Sequence, residues 1–399
     1  MASLATSSST LELLGEFGPD AAADEAAAQG GLARQAPSAA ESLAYCRRLA
    51  RAHEENFPVL SRLLPAELVD PFAAVYAFCR WSDDLGDELG ADAAAREQAT
   101  GLLAWWRRET VAWGAFVEAR RAGRVKSVEE RAAGAEGPRH PVFVALVEVS
   151  RERALPVGPM LDLIDAFEQD QRVTRYETWE ELVDYCSRSA NPVGRLVLAI
   201  GGVGDAGARL GDGGDSGASG LGLQTRTMLE QSDALCTALQ LTNFWQDVRR
   251  DLVDRDRIYL PRRETGFDEA TLRDFMGRPG DPRARVPYIR AVRRLVERTR
   301  GLFESSAGLA GIVPRGIATP VGLFHAFGLA TLKHIDATGC TTLWARPRLS
   351  RSAKAWLLAR AMVMSRVRGY RESGPAGRGP RVRGGSGQGG AAGGEGARV

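Results

Sequence analysis

Apolar residues recur along this chain at three- and four-residue intervals with almost no strand-type alternation, which predicts an all-α protein. Pro58, Pro65 and Pro71 punctuate the early part, so the chain turns twice before a long helix expected to start near Pro71. Leu102 to Ala122 reads as an amphipathic helix anchored by Trp105, Trp106 and Trp113, and Gly123 to Arg139 as a polar loop. Two helices broken at Pro156 follow from His140 to Phe167. A further one, Trp179 to Gly201, is interrupted at Asn191-Pro192. Met228 to Asp251, Val286 to Leu309 with Pro287 in its first turn, Pro320 to Thr338, and Arg351 to Val367 complete the bundle.

The pattern also sets the domain plan. Residues 1–38 are rich in Ala and Ser and read as a disordered leader, 39–368 as one helical domain, and 369–399 as a disordered Gly- and Arg-rich tail. A run of Gly, Asp, Ala and Ser at about 203–222 reads as a flexible insertion.

Two acidic clusters break the apolar pattern: Asp83, Asp84, Asp87 and Glu88 in one helix, and Asp247 and Asp251 behind Asn243 in another. Stepping about 100° per residue puts Tyr76, Arg80, Asp83 and Asp87 within an arc of roughly 60°. The same step puts Gln240, Asn243, Asp247 and Asp251 within roughly 80°. Burying ionised carboxylates costs several kcal/mol unless a cation answers them. Two such faces, opposed, suit a hard dication such as Mg²⁺, which takes a few carboxylates and completes its shell from water and substrate phosphates. The bland alternative is that both acidic faces are solvated surfaces.

Composition narrows the class. The net charge of +2 gives no argument for nucleic acid, and basic residues are nearly all Arg, with Lys only at positions 126, 333 and 354. Five cysteines without a C-x-x-C pair suit a reducing cytoplasm. No apolar run reaches the 18 or so residues that span a bilayer, and the start lacks a signal-peptide pattern, so a cytoplasmic protein is expected.

The segments Tyr76-Ala77-Phe78-Cys79-Arg80-Trp81-Ser82-Asp83-Asp84-Leu85-Gly86-Asp87-Glu88, Gln240-Leu241-Thr242-Asn243-Phe244-Trp245-Gln246-Asp247 and Arg257-Ile258-Tyr259-Leu260-Pro261 together resemble the squalene/phytoene synthase family. His53 to Val59, Ser189 to Gly194 and Asn243 to Asp247 are most similar to its bacterial hydroxysqualene synthase branch, which serves hopanoid biosynthesis. The resemblance runs from about Ser42 to about Arg360.

The resemblance implies an isoprenoid-synthase helical bundle with a central apolar cavity. It implies Mg²⁺ at Asp83, Asp87, Asn243, Asp247 and Asp251, and a prenyl diphosphate contacted by His53, Tyr76, Arg80, Ala190, Gln240, Asn243, Arg257 and Tyr259. It places Tyr185 at the reacting centre, where its π face could stabilise cations and its phenol guide a proton. The implied reaction converts presqualene diphosphate to hydroxysqualene by ionisation and water capture, so NADPH is not expected. Squalene or phytoene synthesis from two prenyl diphosphates is the alternative. A hydrophobic substrate also makes peripheral membrane association an expectation.

Three positions depart from the family pattern. Gln246 stands where many relatives place Arg, removing a charge beside the leaving group. Glu55 replaces a Lys near His53, and Asp70 stands where Arg is expected. Outside the family, a terpene cyclase would want Ser or Thr at position 247, and a di-iron bundle would want a His three residues after a Glu. A prenyl-lipid-binding protein without turnover is the non-enzymatic alternative.

Overall fold

The fold is that of a computed structural model, which describes residues 18–19, 37–53, 63–90, 92–124, 138–204, 206–207, 222–350 and 352–358. The expected leader, insertion and tail lie almost wholly outside these residues, as do Pro58 and Glu55. The chain forms α1 (Ala39–His53), α2 (Ala66–Asp87), α3 (Ala93–Arg121), α4 (Pro141–Val149), α5 (Val157–Asp170), α6 (Trp179–Ser189) and α7 (Asn191–Ile200). These are followed by α8 (Leu223–Asp254), α9 (Arg262–Thr265), α10 (Glu269–Met276), α11 (Pro282–Ser305), α12 (Leu309–Ile312) and α13 (Arg315–Ala337). Residues 352–358 are helical as well. The all-α expectation holds, and none of the described helices is long and apolar enough to cross a membrane.

Several starts differ from the pattern in one consistent way. Pro71, Pro287 and Pro320 were expected to open their helices, yet each is the sixth residue of a helix beginning at Ala66, Pro282 or Arg315. A proline there removes one amide and crowds the carbonyl four residues earlier. That carbonyl belongs to Glu67, Arg283 or Gly316 in the first turn, on residues exposed or half-buried, where water can take the missing hydrogen bond. A proline reads in sequence as a helix opener, so the turn before each of these prolines is missed even where it buries Leu68 or Ile317.

Local chemistry fixes the boundaries. Ser38 and Glu41 form a capping box at α1: Glu41 N donates to Ser38 Oγ at 3.3 Å, and Ser38 N donates to the Glu41 carboxylate at 2.8 Å. Asp92 and Thr178 cap α3 and α6. His140 caps α4, its Nδ1 accepting from Val142 N at 3.2 Å. Burial among Trp81, Trp105, Trp106 and Phe143 pushes this imidazole down to about 3, so it stays neutral.

The two acid-bearing helices occupy central places. α2 packs on α1, α3, α4, α5 and α7, and α8 packs on α6, α7, α11, α12 and α13. The short α7 therefore touches both and sets their separation. Gly194 allows this: a Cβ there would meet Cys236 Sγ at 2.6 Å and collide with Ser232 Oγ, both on α8. On the other flank, Gly86 lets α5 approach α2, since its Cβ would meet Phe167 at 3.1 Å, and its carbonyl accepts from Gln171 at 2.9 Å. Three buried indoles find partners, Trp81 on Tyr45 at 2.8 Å, Trp106 on Ser82 at 2.9 Å and Trp245 on Thr299 at 2.8 Å, whereas the equally buried Trp113 Nε1 has none among the described residues. Asp70, unexplained by sequence, pairs with Arg47 at 3.0 Å and ties α2 to α1.

Candidate active site

α2 ends in the first acidic row and α8 ends in the second, and the chain after α8 turns back between them. Asp256 makes that turn at φ 52°, a left-handed conformation that aspartate tolerates better than most residues. Arg175 holds it, donating to the Asp256 carbonyl and, at 2.7 Å, to its carboxylate. Ile258 N then donates to Thr174 O at 2.9 Å, one short bridge that aligns the returning strand with residues 174–176. Arg255, Arg257 and Tyr259 are thereby delivered to the space between the rows.

The two rows face each other. Arg255 Nη1 lies 3.4 Å from Asp87 Oδ2 on α2 and 3.9 Å from Asp251 Oδ1 on α8. Arg257 Nη1 is 2.8 Å from Asp87 Oδ1 and 3.5 Å from Asp170 Oδ2 at the end of α5. On the outer side of the first row, Arg80 contacts Asp83 at 3.3 Å, Glu88 at 2.6 Å and the fully buried Asp84. Asp247 is gripped by both ends of the Arg346 guanidinium, with Nη2 to Oδ2 at 2.7 Å, and Arg250 lies 3.9 Å away. Each acidic side chain thus has an arginine as counter-ion.

Charge is nevertheless not fully balanced. Burial and then the neighbouring Asp87 raise Asp83 to about 6, while burial and then Asp247 raise Asp251 to about 7 with Arg255 opposing. Such raised carboxyls are where an added cation would lower the energy most. The donor set fits a hard divalent ion, being carboxylate oxygens on two facing helices. Among the described residues no three His, Cys, Asp or Glu side chains converge on one point. A magnesium site of one or two carboxylates plus water and phosphate does not require it.

Four aromatic rings adjoin the rows. Phe244 and Tyr259 stack at 3.8 Å and 8°, and Tyr185 lies 6.2 Å from the first and 6.0 Å from the second. Tyr176 stands 5.4 Å from Tyr185 and 5.7 Å from Tyr259. The Tyr185 phenol donates to Asp170 Oδ2 at 2.7 Å. Further along α8, Leu235 lines a groove of about 750 Å³ with Leu309, Ala310, Val321, Ala326 and Leu329. Leu235 is twelve residues before Asp247, about 18 Å along the helix.

Of the residues singled out by sequence, Asp83, Asp87, Asp251, Arg80, Arg257, Tyr185 and Tyr259 are brought into this one region. Tyr76 and Gln240 are half-buried and Asn243 exposed on the faces expected of them. Ala190 is the joint between α6 and α7, and the His53 side chain lies outside the described residues. Gln246 is half-buried and its amide donates to Pro347 O at 2.6 Å, one residue from Arg346. Arg346, in the segment after α13, thus brings a guanidinium onto Asp247, the residue next to Gln246. Sequence reading missed Asp170, Tyr176, Arg255 and Arg346. Asp170 had a signal, since it falls on the apolar face of α5 between Ala166 and Phe167. Arg346, 99 residues from its partner, had none.

Opposed acidic helices, arginine counter-ions and an apolar groove in an all-α bundle define a prenyltransferase-type enzyme. The chain belongs to the squalene/phytoene synthase family, whose pattern it matches over residues 50–353. It is 29% identical to hydroxysqualene synthase of Rhodopseudomonas palustris over 257 residues, 64% of this chain and 70% of that protein. Phytoene synthase of Pseudescherichia vulneris is 28% identical, covering 74% of this chain and 84% of that protein. The crystal structure of squalene synthase HpnC from Alicyclobacillus acidocaldarius superimposes with a TM-score of 0.53 at 36% identity, over 75% of this chain and 95% of that one.

Proposed function

We propose that this enzyme converts presqualene diphosphate to hydroxysqualene with release of diphosphate, as a step toward hopanoids. What supports the reading most directly is that Asp87 and Asp251 lie within 3.9 Å of one guanidinium nitrogen, so both acidic rows can address a single ligand. The hydroxysqualene synthases among its relatives favour this product.

In this reading Asp83, Asp87, Asn243, Asp247 and Asp251 would hold Mg²⁺, which when bound would stabilise the growing charge of the leaving diphosphate. Arg80 and Arg257, with His53, Tyr76, Gln240 and Asn243, bind the diphosphate, and guanidinium forks suit its oxygens. Ala190 and Tyr259 shape the wall near the reacting carbons. Tyr185 acts at the reacting centre, its ring and its neighbours' rings turning negative π faces to the cation. The prenyl chains run along α8 toward the Leu235 groove, where apolar walls exclude water.

Head-to-head condensation of two prenyl diphosphates is the second reading, favoured by Arg346 bringing a guanidinium onto Asp247, the residue next to Gln246. One experiment separates them. Presqualene diphosphate and, in parallel, farnesyl diphosphate are incubated with the enzyme and Mg²⁺, with and without NADPH, and products are identified by mass. Hydroxysqualene from presqualene diphosphate without reductant is expected. Squalene formed only with NADPH, or phytoene-type products, would replace the proposal.

A further inference from the structure

Asp170 ends α5 and is 4% exposed. Its Oδ2 accepts the Tyr185 phenol at 2.7 Å and lies 3.5 Å from Arg257 Nη1, the same nitrogen that is 2.8 Å from Asp87 Oδ1. Its Oδ1 is buried without a hydrogen-bond partner. One guanidinium therefore serves two carboxylates, and a carboxylate is an expensive way merely to anchor a phenol, since a neutral amide oxygen would accept the same hydrogen bond. The group has a further property. Burial, with Asp87 adding to it, raises Asp170 to about 7 against the opposing pull of Arg257, the Tyr185 hydrogen bond and Arg255. Tyr185 lies the other way: burial and then the Asp170 charge hold its phenol well above the ordinary tyrosine value, so it is neutral and can take up a proton only by giving one up.

We propose that Asp170 is the positioning residue of Tyr185 and the terminal acceptor, through that phenol, of the proton set free when water captures the carbocation. The role rests on the water-capture reading above. A lone pair of the water oxygen forms the new C–O bond and gives an oxonium. One of its O–H bonds then breaks, its proton binding a lone pair on Tyr185 Oη while the phenol's own proton passes to Asp170 Oδ2. The charge of the cation and that of the carboxylate cancel, and no outside base is consumed. Arg257, held between Asp170 and Asp87, keeps this acceptor in line with the acidic rows.

The test compares wild type, Asp170→Asn, Asp170→Glu, Tyr185→Phe and the Asp170→Asn/Tyr185→Phe pair in the full chain, with presqualene diphosphate and Mg²⁺. Asp170→Asn should lose about a hundredfold in kcat, the usual size of a general-base contribution, with KM changed less than about threefold. Asp170→Glu should recover at least about tenfold of that loss, and the double variant should be no slower than the slower single one, because the two groups act as a unit. Unchanged kcat in Asp170→Asn, a loss confined to KM, or losses that multiply in the double variant would overturn the relay. Should Asp170→Asn not fold, Asp170→Glu alone and on the Tyr185→Phe background give the same decision: no additional loss supports the relay, a multiplied loss refutes it. Wild-type enzyme that makes no hydroxysqualene from presqualene diphosphate removes the functional reading and the relay together. Active wild type with an equally active Asp170→Asn removes the relay alone.

Discussion

Asp87 and Asp251, 164 positions apart on different helices, reach the same nitrogen of Arg255, at 3.4 Å and 3.9 Å. Carboxylates so placed repel one another unless a cation lies between them, and the arginine fills that place. If these rows grip the metal, Asp83→Asn, Asp87→Asn and Asp247→Asn should each lower turnover by about two powers of ten or more, because each weakens stabilisation of the leaving group. Steady-state diphosphate release measures this. Full activity in all three variants would refute the assigned roles.

Titration gives a second expectation. Asp83 at about 6 and Asp251 and Asp170 at about 7 bind protons more tightly folded than at their ordinary value of 3.8. Between those values the folded state holds more protons than the unfolded one, so stability falls as pH rises from about 4 to about 7. The lowered acids Glu41, Asp268 and Glu269 act below this window, while His140, lowered from 6.5 to about 3, opposes the fall up to about pH 6.5 as one group against three. Metal-free protein should therefore melt at higher temperature at pH 5.5 than at pH 7.5, with a shallower dependence in Asp170→Asn. Calorimetry at the two pH values decides it.

The same ionisations control the metal. Asp83 and Asp251 must lose their protons to act as ligands, so Mg²⁺ should bind more tightly as pH rises through 6 to 7 and should release protons as it binds. Titration calorimetry in buffers of different ionisation enthalpy reads both effects. A pH-independent affinity would contradict the involvement of these two aspartates.

Arg346 competes for Asp247. Removing it by Arg346→Gln frees that carboxylate, and a half-exposed pair of this kind is worth about 1 kcal/mol, so Mn²⁺ affinity without substrate should rise about fivefold. Electron paramagnetic resonance of Mn²⁺ reports it directly. An unchanged affinity would mean that Asp247 is not a metal ligand in the substrate-free enzyme.

The Leu235 groove can be filled. Ala326→Trp places a large ring on its lining, and if the prenyl chain ends there KM should rise about tenfold or more with folding intact. Equal KM in variant and wild type would move the chain elsewhere.

Packing at α7 sets the distance between the rows. Gly194→Val meets Ser232 and Cys236 on α8, and should cost about 1–3 kcal/mol in urea unfolding while lowering activity, since α8 must move from α2.

The chain's own pattern determined that the protein is helical, that two rows of acid lie on single helix faces, and that the motifs around Asp83 and Asp247 resemble one family. Those features are local, set by three- and four-residue periodicity, and survive without knowledge of neighbours. It placed helix starts late at Pro71, Pro287 and Pro320 because a proline's ring constraint is visible in sequence while a solvent-satisfied first turn is not. Tertiary structure alone decided that Asp87 and Asp251 share Arg255, that Arg346 closes on Asp247, and that Asp170 stands behind Tyr185. Each of these joins residues far apart in the chain, and which arginine answers which carboxylate depends on how α7 and the turn at Asp256 bring the helices together.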